Sequence, residues 1–418
     1  MKKVMYHLIV VVILSGCCVA FAQTPKKELL PIKIGIDNAQ TGYMAMMGKS
    51  DIDGQLWVID KVNKEGGING RRIEVVVYDN ESDPTKGVMN IKKLIEVDKV
   101  LAIVGTCTSG VAMPQAPIVE EAGVPTLFCA ATRWAIAKPP WKPPAEPTNI
   151  RHWVFKLNVN EQVLINQIYT MLKQLGTKKF AWINQGAGFG RAGRVYMELT
   201  AEREGFTVVI KEEYGPKDVD MTAQLARIKA TDFDALFIYG AEMAGCLAYK
   251  QAREMGIKKP VVTTGALVQK PMRKALGKAL DGLLIETYKM ELPEYLPLGD
   301  PQRAAVMEFH KGMQAKYGYR PTYWEGRGAD HAMLLVNVLK RVDVDPTNIE
   351  KARAKIRDAL ENTKRYVSFY GMGDMSATHE MPTTWMTGMV KDGEIVPLKS
   401  MVPLVPMEIV TSYDKIIK

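Results

Sequence analysis

Four things are scarce in this chain, and each scarcity removes a class of function. Its 418 residues hold five Cys and five His. The Cys form no C-x-x-C pair and the His are scattered, so neither reads as a metal site. No Ser sits in a G-x-S-x-G elbow, Ser109 has no His near it in sequence, and the cysteines lack a Cys/His signature. Covalent catalysis therefore has no residues to carry it. Past the first residues no apolar run is long enough to cross a bilayer. Charge of one sign is not concentrated either: 55 Lys and Arg and 46 Asp and Glu are mixed along the chain. The net charge of +9 reads as a solvated surface and not as a nucleic-acid footprint.

What is present begins with an export signal. Lys2 and Lys3 precede an apolar run from Leu8 to Leu14, and Ala20-Phe21-Ala22 is a small-x-small site. These features predict a signal peptide over residues 1–22, cleaved after Ala22. Leu14-Ser15-Gly16-Cys17 also fits the lipoprotein pattern, in which Cys17 would be acylated. The apolar stretch Cys18 to Ala22 would then open a tether that should sit in water, which favours plain cleavage. Loss of Lys2 and Lys3 leaves a net charge of +7 and three cysteines, Cys107, Cys129 and Cys246. Cys107 and Cys129 stand at the ends of two strands expected to be neighbours. A disulfide between them and a pair of buried thiols are both open.

About 396 residues remain, too many for one ordinary core, so two domains are expected. Strand and helix patterns alternate: a strand at Ile32–Ile36, a helix at Asp53–Lys64, a strand at Ile73–Tyr78, and a helix from Pro84 through Ile95. Apolar runs follow at Val100–Val104 and Val124–Phe128. This is the βαβ pattern of a parallel sheet covered by helices, an α/β class fold. Five prolines from Pro139 to Pro147 mark a surface loop where the chain leaves the first domain. The pattern then restarts, with helices at Glu161–Leu175, Arg191–Glu204, Met221–Lys229 and Met243–Met255. Strands fall at Lys179–Asn184, Val208–Lys211, Ala235–Tyr239, Pro260–Thr264 and Gly282–Tyr288. Helices at Gln302–Tyr317, Gly328–Lys340 and Asn348–Asn362 come next. The described pattern ends on a hairpin, Thr384–Lys391 and Glu394–Leu398, turned at Asp392-Gly393. Two similar halves predict two Rossmann-like lobes with a cleft between them.

Polar residues at strand ends locate the candidate site. Val104-Gly105-Thr106-Cys107-Thr108-Ser109-Gly110 and Phe128-Cys129-Ala130-Ala131-Thr132-Arg133 each follow an apolar run. In open parallel sheets ligands bind outside the carboxyl ends of the strands, at a switch in strand order. Hydroxyls and backbone N–H groups there suit a small polar head group. Met44, Met46 and Met47 cluster in what reads as a loop after the first strand, either as core filler or as a flexible wall for a ligand. Gly188-Phe189-Gly190-Arg191-Ala192-Gly193 fits the dinucleotide pattern G-x-G-x-x-G, with Glu212 and Glu213 about 20 residues on. Against that reading, Gln185 to Ala187 separate the motif from its strand. The alternative is a glycine-rich turn that lets Phe189 face the cleft.

Taken together, Ile32-Lys33-Ile34-Gly35, Asn63-Lys64-Glu65-Gly66-Gly67-Ile68-Asn69-Gly70, the Tyr78–Pro84 run, Ile103–Ser109, Ala130–Thr132, Gly188–Gly190 and Gln251–Ile257 resemble periplasmic solute-binding proteins of the leucine/isoleucine/valine-binding type. The resemblance covers residues 31 to about 400. It implies two lobes joined by three crossing strands, one formed by 31–153 with 292–366 and the other by 154–291 with 367–410. It implies a monomeric periplasmic receptor that takes a small-molecule ligand to an inner-membrane ABC permease, with no cofactor and no enzymatic activity. Ser109, Ala130 and Thr132 would hold the ligand's α-carboxylate. Phe189, Met47, and Tyr323 or Trp324 would wall it. The acid that amino-acid binders place against the ammonium is missing from Thr264-Gly265-Ala266-Leu267, and Glu242 is the candidate replacement. Should Glu242 point away, Arg133 as a carboxylate clamp and Trp134 as a stacking ring would favour an aromatic or other organic acid. A ligand sensor working through a signalling partner is a further alternative.

Overall fold

Two runs of strand–helix repeats each close into a sheet. The computed structural model describes residues 29–398. The leader expected at 1–22, Cys17 within it, and the 399–410 end assigned to the second lobe lie outside the described residues.

The first sheet contains β1 (Ile32–Asn38), β2 (Ile73–Asp79), β3 (Ala102–Val104), β4 (Thr126–Leu127) and β5 (Val154–Phe155), all parallel, in the order β2-β1-β3-β4-β5. Helices α1 (Ala45–Lys64), α2 (Pro84–Glu96) and α3 (Ser109–Glu121) connect them. The second sheet holds β6 (Lys179–Gln185), β7 (Thr207–Tyr214), β8 (Ala235–Tyr239), β9 (Val261–Thr263) and β10 (Leu283–Tyr288), linked by α5 (Gly188–Thr200), α6 (Thr222–Lys229), α7 (Met243–Glu254) and α8 (Lys270–Leu276), with α4 (Glu161–Gln174) ahead of β6. Its order is β14-β13-β10-β9-β8-β6-β7. The last two, β13 (Trp385–Lys391) and β14 (Glu394–Pro397), join as an antiparallel hairpin. A small pair, β11 (Tyr366–Val367) and β12 (Met372–Gly373), stands apart.

The inner strands β3, β8, β9 and β10 are buried on both faces, which is why they read as mostly apolar runs. Along β6 and β8, Ala181, Ile183, Leu236 and Ile238 enter one core while Phe180, Trp182, Phe237 and Tyr239 enter the other. The first sheet divides the same way, Ile34 and Val104 on one side, Ile103 on the other.

The chain passes between the lobes three times: from β5 to α4, from β10 to α9 (Arg303–Tyr317), and from α11 (Ile349–Glu361) to β13. Helices α9, α10 (Tyr323–Arg341) and α11 return to the first lobe, where α10 packs along α1. The first and third crossings are tied side by side. Lys156 N–H donates to His379 O at 3.0 Å and Met381 N–H donates to Lys156 O at 2.9 Å.

Three helices start earlier than the sequence pattern suggests, and each start has a local cause. Helix α10 begins at Tyr323 and not Gly328, because Thr322 and Glu325 form a reciprocal capping box. Helix α1 begins at Ala45 and not Asp53, so Met46 and Met47 stand on its first turn and Met44 is its N-cap; the three methionines are not a loop. Helix α5 begins at Gly188, so the glycine-rich stretch is helix and not a turn. Strand β5 and helix α8 were not anticipated, being only two and seven residues long.

Candidate ligand cleft between the lobes

Strand order places the site. In the first sheet β1 lies between β2 and β3, and in the second β6 lies between β7 and β8. Successive connections leave these strands in opposite directions, which opens a crevice at the carboxyl ends of β1/β3 and of β6/β8. The two crevices face each other across a narrow cleft. Tyr43, Met44 and Met47 reach it from behind β1, Cys107, Thr108 and Ser109 from behind β3, Gln185 and Phe189 from behind β6, and Ala241 from behind β8.

The β3 side is a donor wall. Thr108 is the N-cap of α3, yet its hydroxyl makes no capping bond, and Ser109 opens the helix. The first N–H groups of a helix have no intrahelical partner and favour an anion. Above them Asn158, in the first crossing, gives its amide to Cys129 O at 2.9 Å and accepts the Tyr370 hydroxyl at 3.0 Å.

The opposite wall carries an acid that sequence reasoning missed. Glu286, on β10, lines the cleft and is buried. One carboxylate oxygen accepts the Gly265 N–H, and the other, Oε1, has no partner. Burial pushes its carboxyl well above the ordinary range. The stretch Thr264–Leu267 thus lacks an acid of its own but grips one from the next strand. A lone charged residue ending the apolar run Leu283–Ile285 was the available signal.

The floor is a buried ion pair. Arg327, on α10, lines the cleft and points both arms at Asp51 of α1, with Nη2–Oδ2 2.6 Å and Nε–Oδ1 3.0 Å. Its Nη1 also donates to the Tyr323 hydroxyl at 3.3 Å. Tyr323 stacks on Tyr288 with ring centres 4.4 Å apart, and both rings face the cleft.

Of the residues singled out from sequence, Met47, Ser109, Phe189 and Tyr323 line the cleft. Ala130 does not: it packs in the apolar core behind the sheet, and Ala131 lines the cleft in its place. Thr132 is fully buried, its hydroxyl accepting the Trp134 N–H at 3.3 Å. Trp324 lies wholly in the core. Glu242 sits one layer beneath the cleft wall, where it accepts Gln185 Nε2–H and, at 3.0 Å, the Ala241 N–H. Arg133 is engaged elsewhere, in ion pairs with Glu380 at 2.7 Å and Glu146 at 2.9 Å, and Trp134 packs on Trp141 and Tyr196. Both belong to the contact between the proline-rich loop and the second lobe. Cys107, Cys129 and Cys246 are free, buried thiols.

The dinucleotide reading of Gly188–Gly193 fails on space and on charge. A Cβ on Gly188 would stand 2.7 Å from the Gly110 backbone N, so α3 of the first lobe takes up the space before this helix in this structure. The acids downstream are taken, Glu213 by Arg191 and Glu212 by Arg227.

Two doubly wound lobes that meet over an enclosed cleft define a binding protein of the two-lobed α/β class. Residues 31–394 match the family of periplasmic binding proteins. The chain belongs to that family. It is 26% identical over 231 residues to the Leu/Ile/Val-binding protein BraC3 of Rhizobium johnstonii, a match that spans 55% of this chain and 60% of that relative. The fold superposes on the branched-chain amino acid transporter substrate-binding protein LivJ of Streptococcus pneumoniae in complex with isoleucine, with a TM-score of 0.74, 23% identity, and 89% and 99% of the two chains covered. It also superposes on an ABC transporter solute-binding protein of R. palustris in complex with benzoate, with a TM-score of 0.75, 22% identity, and 92% and 99% covered. At these identities the two superpositions speak for the fold. Among the described residues no helix is long and apolar enough to cross a membrane.

Proposed function

We propose that this protein is the exported receptor of an ABC importer, working in the periplasm and handing a small carboxylate-bearing solute to an inner-membrane permease. The solute is an apolar amino acid, captured as the lobes close. The observation that carries this reading is the polarity of the enclosed cleft. Donors at Thr108, Ser109 and the start of α3 stand on one wall, and the unpartnered Glu286 oxygen stands on another. A zwitterion satisfies both at once. Its carboxylate meets the helix start and its ammonium meets Glu286, which takes the part expected of Glu242. Met47, Phe189 and Tyr323 provide the apolar wall, and closure excludes water. Arg327 is occupied by Asp51 and leaves the carboxylate to the helix.

A second reading draws on the rings around the cleft, Tyr43, Phe189, Tyr288 and Tyr323. They suit an aromatic acid such as the benzoate held by the R. palustris fold neighbour. Glu286 would then have to be protonated and donate.

A thermal-shift titration with leucine, valine, phenylalanine, benzoate and 4-hydroxycinnamate separates the two. A ligand that binds only the folded state raises the melting temperature by mass action. The amino acids are expected to stabilise the protein. Stabilisation by benzoate or 4-hydroxycinnamate alone would replace the amino-acid assignment with the aromatic-acid one.

A further inference from the structure

The three glycines of Gly188-Phe189-Gly190-Arg191-Ala192-Gly193 have no phosphate to hold, yet each is sterically required. A Cβ on Gly190 would lie 1.9 Å from Gln185 O, and one on Gly193 would lie 2.3 Å from the Tyr239 ring. Both contacts are inside the second lobe and belong to its packing. Gly188 differs. Its Cβ would meet Gly110 N at 2.7 Å and Gly110 Cα at 2.9 Å, and Gly110 belongs to α3 of the other lobe. Those are backbone atoms, which cannot swing aside as a side chain would. Gly188 is also the first residue of α5, so its own backbone does not demand glycine. The contact is one-sided: a Cβ on Gly110 would find nothing nearer than Gly188 N, at 3.9 Å.

From this geometry we propose that Gly188 is the closure-determining residue of the binding cycle. With no side chain there, the start of α5 seats directly on the start of α3 and seals the cleft above Ser109 and Phe189. Any side chain at 188 props this edge open. The role rests on the reading that the cleft captures its solute by lobe closure. It accounts for the first glycine of a motif whose other two glycines serve packing.

The consequence is a separation of stability from affinity. In the open protein nothing opposes a methyl group at 188, and Ala is a better helix former than Gly. Gly188→Ala is therefore expected to leave the ligand-free melting temperature within about 2 °C of wild type. Closure, by contrast, must displace backbone. A binding-competent state made rarer lowers apparent affinity in proportion, here by roughly 10–100-fold. Arg194→Ala, on the same helix but outside the cleft, should bind and close as wild type does. Gly193→Ala, which strikes the Tyr239 ring within one lobe, should instead lower the ligand-free melting temperature.

The test pairs calorimetry with an interlobe distance measured by electron resonance. Spin labels go on Met89→Cys in α2 and Leu199→Cys in α5, exposed positions on the two lobes, and leucine, phenylalanine and benzoate serve as probes. The expected result is a wild-type distance that shortens with a bound probe, a Gly188→Ala distance that does not, and an Arg194→Ala distance that does. Closure and affinity retained in Gly188→Ala would overturn the role of Gly188 and leave the capture reading intact. So would an equal loss in Arg194→Ala, since closure would then respond to any change in α5 and not to the contact at Gly188. If none of the probes closes or binds the wild-type protein, the capture reading falls and the role of Gly188 falls with it.

Discussion

Arg327 and Asp51 form a bidentate pair in the floor of the cleft, each almost wholly out of water, and this pair joins α10 to α1. Burial outweighs the guanidinium and pushes the Asp51 carboxyl up to about 6. The two helices are as close as backbones allow at this point, for a Cβ on Gly328 would stand 2.2 Å from Asp51 O and one on Gly54 2.0 Å from Glu325 O. Removing one partner strands a charge where no water reaches it. Asp51→Leu or Arg327→Met alone should lower stability by about 3–5 kcal/mol. The double variant Asp51→Leu with Arg327→Met should recover much of that, because no buried charge then remains. Denaturant unfolding of the four proteins reads the coupling directly. Additive losses in the double variant would show that the pair acts as two separate packing residues.

Glu286 is the position where ligand choice should turn. Against an amino acid, Glu286→Gln replaces a charge-assisted contact with a neutral one at a buried position. Leucine affinity should fall by roughly 100-fold, the scale of losing one partner of a buried charge pair. Affinity for benzoate should hold or rise, since an ionised Glu286 would repel the ring's carboxylate. Isothermal calorimetry with both ligands on both proteins gives the comparison. Equal leucine affinity in Glu286→Gln would remove the ammonium role, and a fall confined to benzoate would transfer the residue to the aromatic-acid reading.

The same site shows how far sequence reasoning reaches. Strand β8 has the bounds read from its apolar run, Ala235–Tyr239, because a strand buried on both faces leaves an uninterrupted signal. Ser109 was legible from its place just beyond such a run, and Met47 and Phe189 from the resemblance to solute-binding proteins. Ala130 and its neighbour Ala131 divide between core and cleft at a bend past the end of β4, which the sequence pattern does not reveal. Arg327 was out of reach once α10 was taken to start at Gly328, one residue beyond it, with the Thr322–Glu325 capping box unread. Gln185 and Asn158 carried no local signal, since a polar residue ending a strand or crossing between lobes looks like any other loop residue. Arg133 misled for a related reason. Its partners Glu146, Gln162 and Glu380 come from a loop, a helix and the third crossing, and no sequence window contains all three.

Glu242 makes a pH prediction with a definite sign. Its carboxyl is buried beside the Tyr214 hydroxyl, and burial pushes it from the ordinary 4.5 up to about 7. Between those values the folded chain keeps a proton that the unfolded chain has released. Stability from this residue is therefore complete below about pH 4.5 and is lost as pH rises through 7. Glu242→Gln cannot ionise, and its amide oxygen still accepts from Gln185 and Ala241. The variant should match wild type near pH 4 and exceed it near pH 8, by up to about 3 kcal/mol. Asp37 and Asp330, each pushed up to about 6 by burial, pull the wild-type curve in the same direction. The measurement must therefore be the difference between variant and wild-type unfolding free energies across that range. A difference that stays flat from pH 4 to 8 would mean that Glu242 is solvated in the folded protein. Gln185, which lines the cleft, would then no longer be held in place by a buried acid.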